Sequence, residues 1–185
     1  KFDINIGKFT GGSARNAIPR EAFAIVTVPG QLDSQFNVFI TEYSRILEME
    51  FAIPDPGISL ELTRISIPDM VMSNPAQCNL LRAVYACPDG VIRMDDRVKG
   101  LVETSNNLSF IECHDGKSVI KCLLRSSVDS ARRNLENSVL SALSLAGFNV
   151  EFSGAYPGWK PDPSSELLAV LKNVYEKLYR KTPQV

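Results

Sequence analysis

Apolar and polar residues alternate at Phe2-Asp3-Ile4-Asn5-Ile6, and a second apolar run covers Phe23-Ala24-Ile25-Val26-Thr27-Val28. A period of two over this length predicts strands at 2–10 and 21–28. Pro29-Gly30 breaks the second. The period then changes. Leu32, Phe36, Phe39, Ile40, Tyr43, Ile46, Leu47 and Phe51 recur at helical spacing and predict one helix with a wide apolar face. Pro54-Asp55-Pro56-Gly57 stops it. Alternation returns over Ile58 to Ile65 and predicts a third strand. Asn74-Pro75 is a cap followed by proline at the first helical position, ahead of Leu80, Leu81 and Val84. That helix stops before Pro88.

Leu101 to Cys113 reads as one long extended stretch, polar at Ser105-Asn106-Asn107. Asp115-Gly116 is a hairpin signal, and Ser118 to Leu124 returns as a strand. Ser126-Ser127-Val128-Asp129 has the form of a capping box, with Asp in place of Glu. The helix behind it carries Val128, Ala131, Leu135, Val139, Ala142, Leu143 and Ala146, and Gly147 closes it. A strand at Phe148 to Phe152 follows, then a proline-rich loop from Pro157 to Pro163. Asp162-Pro163 opens a last helix with Leu167, Leu168, Val170, Leu171, Val174, Tyr175 and Leu178 apolar. The order strand, turn, strand, helix, strand thus occurs at 2–66 and again at 101–152. It predicts an α+β fold: an antiparallel sheet of two strand-strand-helix-strand units, with helices packed on one face.

Composition narrows the function. A chain of 185 residues, 44% hydrophobic and 22% charged, is long enough to bury a core and is not a disordered one. A net charge of -1 leaves no surplus to neutralise phosphates, so nucleic acid is excluded as a partner. No apolar run approaches the ~20 residues of a membrane span, and no signal-peptide pattern opens the chain. Cys78, Cys87, Cys113 and Cys122 are scattered and His114 is the single histidine, so no zinc site of ordinary spacing is encoded. Free thiols in a reducing compartment are the expected state. Glu103 reads as a solvated carboxylate and Asp129 as a helix cap; Asp95-Asp96 lacks the glycine-centred loop of a calcium site. The chain presents no catalytic set and no metal set.

What remains can hold a ligand. In Gly11-Gly12-Ser13-Ala14-Arg15-Asn16-Ala17-Ile18-Pro19-Arg20-Glu21-Ala22, a guanidinium fork and an amide stand side by side between two strands. Such a pair suits a carboxylate or a peptide carbonyl, and it equally suits a turn whose Asn bonds its own backbone. Arg125 ends a strand just before a helix. Its fork fits a carboxylate two-pronged, or alternatively an ion pair with Asp129.

These motifs carry a resemblance. Gly-Gly-x-x-Arg-Asn-Ala-Ile-Pro-Arg-Glu-Ala at 11–22 is similar to the aminoacyl-histidine dipeptidases, zinc-dependent exopeptidases of the aminoacylase and carboxypeptidase type. Pro88-Asp89-Gly90-Val91-Ile92-Arg93, Val102-Glu103-Thr104-Ser105, Leu124-Arg125-Ser126-Ser127-Val128-Asp129-Ser130 and Gly154-Ala155-Tyr156-Pro157-Gly158-Trp159-Lys160-Pro161-Asp162 follow in the family's order. The resemblance covers the family's inserted lid domain alone. It implies a lid over 1–155, then a hinge loop and helix at 156–185 that return to a catalytic domain with paired zinc ions. It implies that Arg125 and Asn16 hold the substrate or its C-terminus, with Arg15 and Arg93 as weaker candidates. It implies a bacterial, cytoplasmic parent that hydrolyses Xaa-His dipeptides by zinc-bound water, a lid that closes over the site, and a homodimer. The family's lid histidine lies in a Gly-Gly-His motif that this sequence lacks and that is expected upstream of Lys1. The isolated chain is therefore expected to be inactive. Without such a parent, the remaining reading is a free-standing α+β ligand-binding or dimerisation module.

Overall fold

The computed structural model describes residues 2–183. Among these, five strands and four α-helices follow in the order β1 (Asn5–Gly11), β2 (Ala22–Thr27), α1 (Asp33–Glu50), α2 (Asn74–Ala86), β3 (Gly90–Met94), β4 (Val102–His114), β5 (Lys117–Ser126), α3 (Asp129–Leu145) and α4 (Glu166–Tyr179). The class is α+β with an antiparallel sheet, in the order β2-β1-β4-β3 with β5 also on β4. Asp115 and Gly116 take positive φ (49° and 72°) at the turn between β4 and β5, as an Asp-Gly hairpin requires. No helix among the described residues is long and apolar enough to cross a membrane.

The chain divides into two compact units. The first comprises the residues up to Tyr85 together with Ser109–Lys121. Its core holds Ile6, Phe36, Leu80, Ala83, Ile111 and Cys113, all under one tenth exposed. β1 pairs with β2 on one side and, through Phe9 to Gly11, with Ile111 to Cys113 of β4 on the other. A register shift between Ile6 and Lys8 interrupts the first pairing. There Gln77 of α2 stands in for a strand: its Oε1 accepts the Ile6 N–H at 3.0 Å and its Nε2 donates to Ile4 O at 2.9 Å. The α1 face is less buried than its pattern predicts. Phe36 is in the core, but Phe39, Tyr43 and Ile46 stay about half exposed. Phe2, Phe36, Phe39 and Tyr43 instead form a row of ring contacts with centroids 5.5, 6.5 and 5.9 Å apart.

The strand expected at 58–65 does not form. The segment from Ile58 to Val71 runs without a ladder, and just beyond it the Met72 N–H reaches Ile6 O at 2.7 Å. Pro68 has no N–H to offer at the point where it packs on Gly7. Alternation alone does not supply a free edge to pair with.

The second unit comprises Ala86–Leu108 and the chain from Cys122 onward. Leu135, Val139 and Leu143 form the buried stripe of α3 at a spacing of four. Beside this apolar core lies a buried polar set, Asp95, Glu103, Thr104 and Asn106. β3 was hidden in the sequence behind the Asp89-Gly90 turn signal. It pairs antiparallel with β4 through two register shifts, before and after Arg93. The strand expected at 148–152 is also absent: the Phe148 N–H closes the end of α3 on Leu143 O at 3.1 Å, and the chain continues without pairing. The last helix forms where its pattern places it, with no buried residue of its own.

Candidate functional site

In the first unit, the loop between β1 and β2 is rooted at Gly12. Its N–H donates to Glu21 O at 3.2 Å, its φ is +72°, and a Cβ there would fall 1.9 Å from Ser109 O. No other residue type fits that approach. With the root set, the tip closes on itself: the Ala17 N–H donates to Ala14 O at 3.2 Å, so Arg15 and Asn16 are the two middle residues of a four-residue turn. Both are exposed. The structure thus brings these two predicted residues together on one turn.

In the second unit, Arg125 lies next to the last residue of β5 and is exposed. Among the described residues it takes part in no ion pair, and the alternative pairing with Asp129 is not formed. Asp129 is engaged elsewhere: its Oδ1 accepts the Gly158 N–H at 3.0 Å and stands 4.0 Å from Arg132 Nε. This contact seats the proline-rich loop on the start of α3. Gly158 lies so close that a Cβ would come within 2.6 Å of Ser127 C and O. Tyr156 and Trp159, on either side of it, are 78% and 90% exposed, so the seated loop presents two aromatic side chains to solvent. The capping box expected at 126–129 is not made. Ser126 Oγ accepts the Val128 N–H at 3.1 Å, a turn two residues on, and α3 starts from Val128 without a side-chain cap.

Arg93 differs from Arg125. Its Nε and Nη2 both bond Glu103 Oε1, which also accepts the Thr104 hydroxyl at 3.1 Å. Glu103 is 4% exposed, so it is a buried, paired carboxylate and not the solvated one its sequence context suggests. The register shifts around Arg93 place it opposite Thr104, whose hydroxyl lies 2.9 Å from Ser126 Oγ. Arg93 and Thr104 line a cavity of about 340 Å³ together with Ser130, Asn134 and Ser138 of α3 and the apolar Pro88, Ile92, Ala131 and Leu135. A guanidinium, three hydroxyls and an amide make this a donor-rich pocket with one apolar wall. Sequence reading missed it because β3, which carries Arg93, showed no strand pattern.

Two aspartates are bonded within their own loops. Asp95 Oδ1 accepts the N–H groups of Arg97 and Val98, each at 2.8 Å, and these two bonds hold its carboxyl below the usual carboxylate range. Asp162 is held low in the same way by the Ser164 hydroxyl and N–H. His114 sits between Asp115 Oδ2 at 3.0 Å and Glu112 Oε1 at 3.4 Å. Among the described residues no three His, Cys, Asp or Glu side chains gather where they could hold a metal ion.

No family model matches the chain. Over all 185 residues it is 35% identical to the cytosol non-specific dipeptidase of Escherichia coli strain K12, of which it spans 38%. The crystal structure of aminoacylhistidine dipeptidase from Vibrio alginolyticus superposes with a TM-score of 0.93 at 39% identity, over 98% of this chain and 37% of that one. The resemblance seen in the motifs thus extends along the whole length and to the fold, and the chain is a homologue of these dipeptidases over a segment of slightly more than one third of their length.

Proposed function

We propose that this chain is the lid domain of a zinc-dependent cytoplasmic dipeptidase that hydrolyses Xaa-His dipeptides, closing over the active site and holding the substrate. The observation that carries this reading is the full-length likeness to just over a third of two dipeptidases. Residues 1–155 are the lid; 156–185 are the hinge loop and the helix that returns to the catalytic domain. The character of α4 supports that division. Leu167, Val170, Leu171, Val174, Tyr175 and Leu178 form one stripe at helical spacing, and all are between 40% and 70% exposed. In the whole polypeptide this stripe docks on the catalytic domain. The open face of α1 is a surface for the same domain or for a second copy in a homodimer.

In this reading Arg125 holds a substrate carboxylate and Asn16 a backbone or carboxylate oxygen, with Arg15 beside it and Arg93 as a weaker contributor. Arg125 is suited because its guanidinium is exposed and outside any ion pair among the described residues. Arg93 is weaker because Glu103 already engages two of its nitrogens. Zinc belongs to the parent enzyme and not to this chain, so the chain positions substrate and performs no bond-breaking step. The test compares the full-length protein with the 185-residue segment on an Xaa-His dipeptide. The full-length protein should turn over and lose activity to a chelator, while the segment is inert. Chelator-sensitive turnover by the segment, or none by the full-length protein loaded with zinc, overturns the reading.

A further inference from the structure

The Arg93 cavity lies wholly in the second unit, and its guanidinium is held in place by buried neighbours. Ser126 Oγ lies 2.9 Å from the Thr104 hydroxyl, which donates to Glu103 Oε1 at 3.1 Å. The same oxygen accepts from Arg93 Nε and Nη2. The Ser127 N–H donates to Glu103 O at 3.0 Å and ties the strand carrying this carboxylate to the chain that enters α3. Glu103 thus occupies one side of the guanidinium fork. The Nη1–Nη2 end is left over, and the Arg93 side chain keeps 52% of its surface exposed. A carboxylate fits such an end with two parallel hydrogen bonds.

The facing wall is α3. Ser130, Asn134 and Ser138 recur at a spacing of four, so one row of the helix brings hydroxyls and an amide to the cavity. The helical ladder begins with the Arg132 N–H on Val128 O at 3.0 Å, which leaves the Ser130 and Ala131 N–H groups without an acceptor inside the helix. Both residues line the cavity, and α3 has no side-chain cap. Two carboxylates stand nearby. Asp129 Oδ1 is taken by the Gly158 N–H, and Glu103 Oε1 already accepts from three donors. Donors therefore outnumber free acceptors around this space. Pro88, Ile92 and Leu135 close the rest of it with apolar surface. At about 340 Å³ the cavity falls at the low end of small-ligand sites, roughly 300–1,000 Å³.

We propose that this cavity binds a small carboxylate with a branched aliphatic body. The carboxylate accepts from the free end of Arg93 and from the Ser130 and Asn134 side chains, and the aliphatic part lies against Ile92 and Leu135. Glu103 already balances the charge of Arg93, so the site selects by hydrogen-bond geometry and apolar fit and not by long-range attraction. Inorganic phosphate finds the donors but leaves the apolar wall wet. An uncharged amide of the same body fits the wall but brings N–H groups to an end already rich in them. Every group that makes the contact lies in the second unit, so binding needs neither zinc nor turnover.

The test titrates the full-length protein, freed of metal by a chelator, with 4-methylpentanoate in a calorimeter, and repeats the titration with inorganic phosphate and with 4-methylpentanamide. The carboxylate should bind saturably and at least about tenfold more tightly than either other probe, the difference that a charge-assisted hydrogen bond makes. Asn134→Ala, at an exposed helical position, should weaken binding severalfold, and Ala131→Leu, which fills the cavity, should abolish it. Arg125→Ala should leave it unchanged, so carboxylate binding here and substrate holding at Arg125 are read separately. Arg93→Gln should abolish binding as well, but it strips Glu103 of its buried partner, and its melting temperature is measured alongside. If that variant does not fold, the two α3 substitutions decide. No saturable binding, equal binding of phosphate or of the amide, or binding that Arg125→Ala removes while Asn134→Ala and Ala131→Leu leave it intact, overturns the proposal.

Discussion

Asp95 shows how a residue can look like chemistry and be architecture. Beside Asp96 it has the charge of a weak cation site, yet Oδ1 is committed to two N–H groups two and three residues on, while its own N–H closes the loop on Leu101 O at 2.8 Å. An Asp followed by a short polar loop carries a legible turn signal. The burial of Glu103 is harder to read, since it depends on Arg93, ten residues away on a strand whose pattern is hidden by a bulge. The Asp95 bonds have a consequence with a definite sign. The folded state lowers the Asp95 pKa from its ordinary 3.8, so unfolding takes up a proton in acid. Its stabilising contribution is complete above the unfolded value and is lost as pH falls through the folded one. Urea denaturation from pH 6 down to about pH 2.5 should therefore show a decline in stability below about pH 4 that is shallower in Asp95→Asn. Parallel curves for the two proteins would show that the carboxyl is not held low.

At the scale of elements, the helices were legible and the strands only partly so. A helix makes its own hydrogen bonds, so period and caps suffice, and 33–50, 74–86, 129–145 and 166–179 fall where the apolar spacing puts them. A strand needs a partner, and none is written into its own sequence. Hence 58–65 and 148–152 alternate or run apolar without pairing, while β3 pairs without an evident pattern. The β1–β2 connection was legible because Gly11-Gly12 states a backbone requirement. Gly12→Ala tests it. A left-handed backbone alone costs an alanine roughly 1–2 kcal/mol, and the 1.9 Å approach to Ser109 O forces the β4 backbone or the loop to move as well. Thermal denaturation should show a lower melting temperature for Gly12→Ala. A comparable change at Gly30, where an added Cβ meets nothing within 4 Å and φ is not left-handed, should have much less effect. Equal melting temperatures for Gly12→Ala and the parent protein would remove the close approach as a constraint on the Arg15-Asn16 turn.

At the scale of the molecule, the candidate residues were legible as chemistry but not as a site. Arg15 and Asn16 meet in one turn of the first unit; Arg93 and Arg125 stand on different strands of the second. The chain spans 38% and 37% of the two dipeptidases it resembles. The decisive residue is Arg125, because its two readings now differ in what they predict. As a partner for Asp129 it would matter to stability, but Asp129 instead accepts the Gly158 N–H at 3.0 Å. Arg125→Ala should therefore leave stability within about 0.5 kcal/mol, the usual range for a surface change. As the holder of a substrate carboxylate it contributes charge-assisted hydrogen bonds of about 1.5–3 kcal/mol. At 1.36 kcal/mol for each factor of ten, its loss lowers kcat/KM of the full-length enzyme by roughly ten- to a hundredfold or slightly more. Arg125→Lys should recover only part, since an ammonium cannot make the two-pronged contact. Asn16→Ala removes a neutral hydrogen bond and should cost about 0.5–1.5 kcal/mol by the same measure. Steady-state kinetics on a dipeptide and on the same dipeptide with an amidated C-terminus locate the contact. If Arg125 grips the carboxylate, the substitution should hurt the free acid and hardly touch the amide. Arg125→Ala with kcat/KM within twofold of the parent on both substrates would leave Arg125 as an ordinary surface residue and remove it from the substrate-holding role.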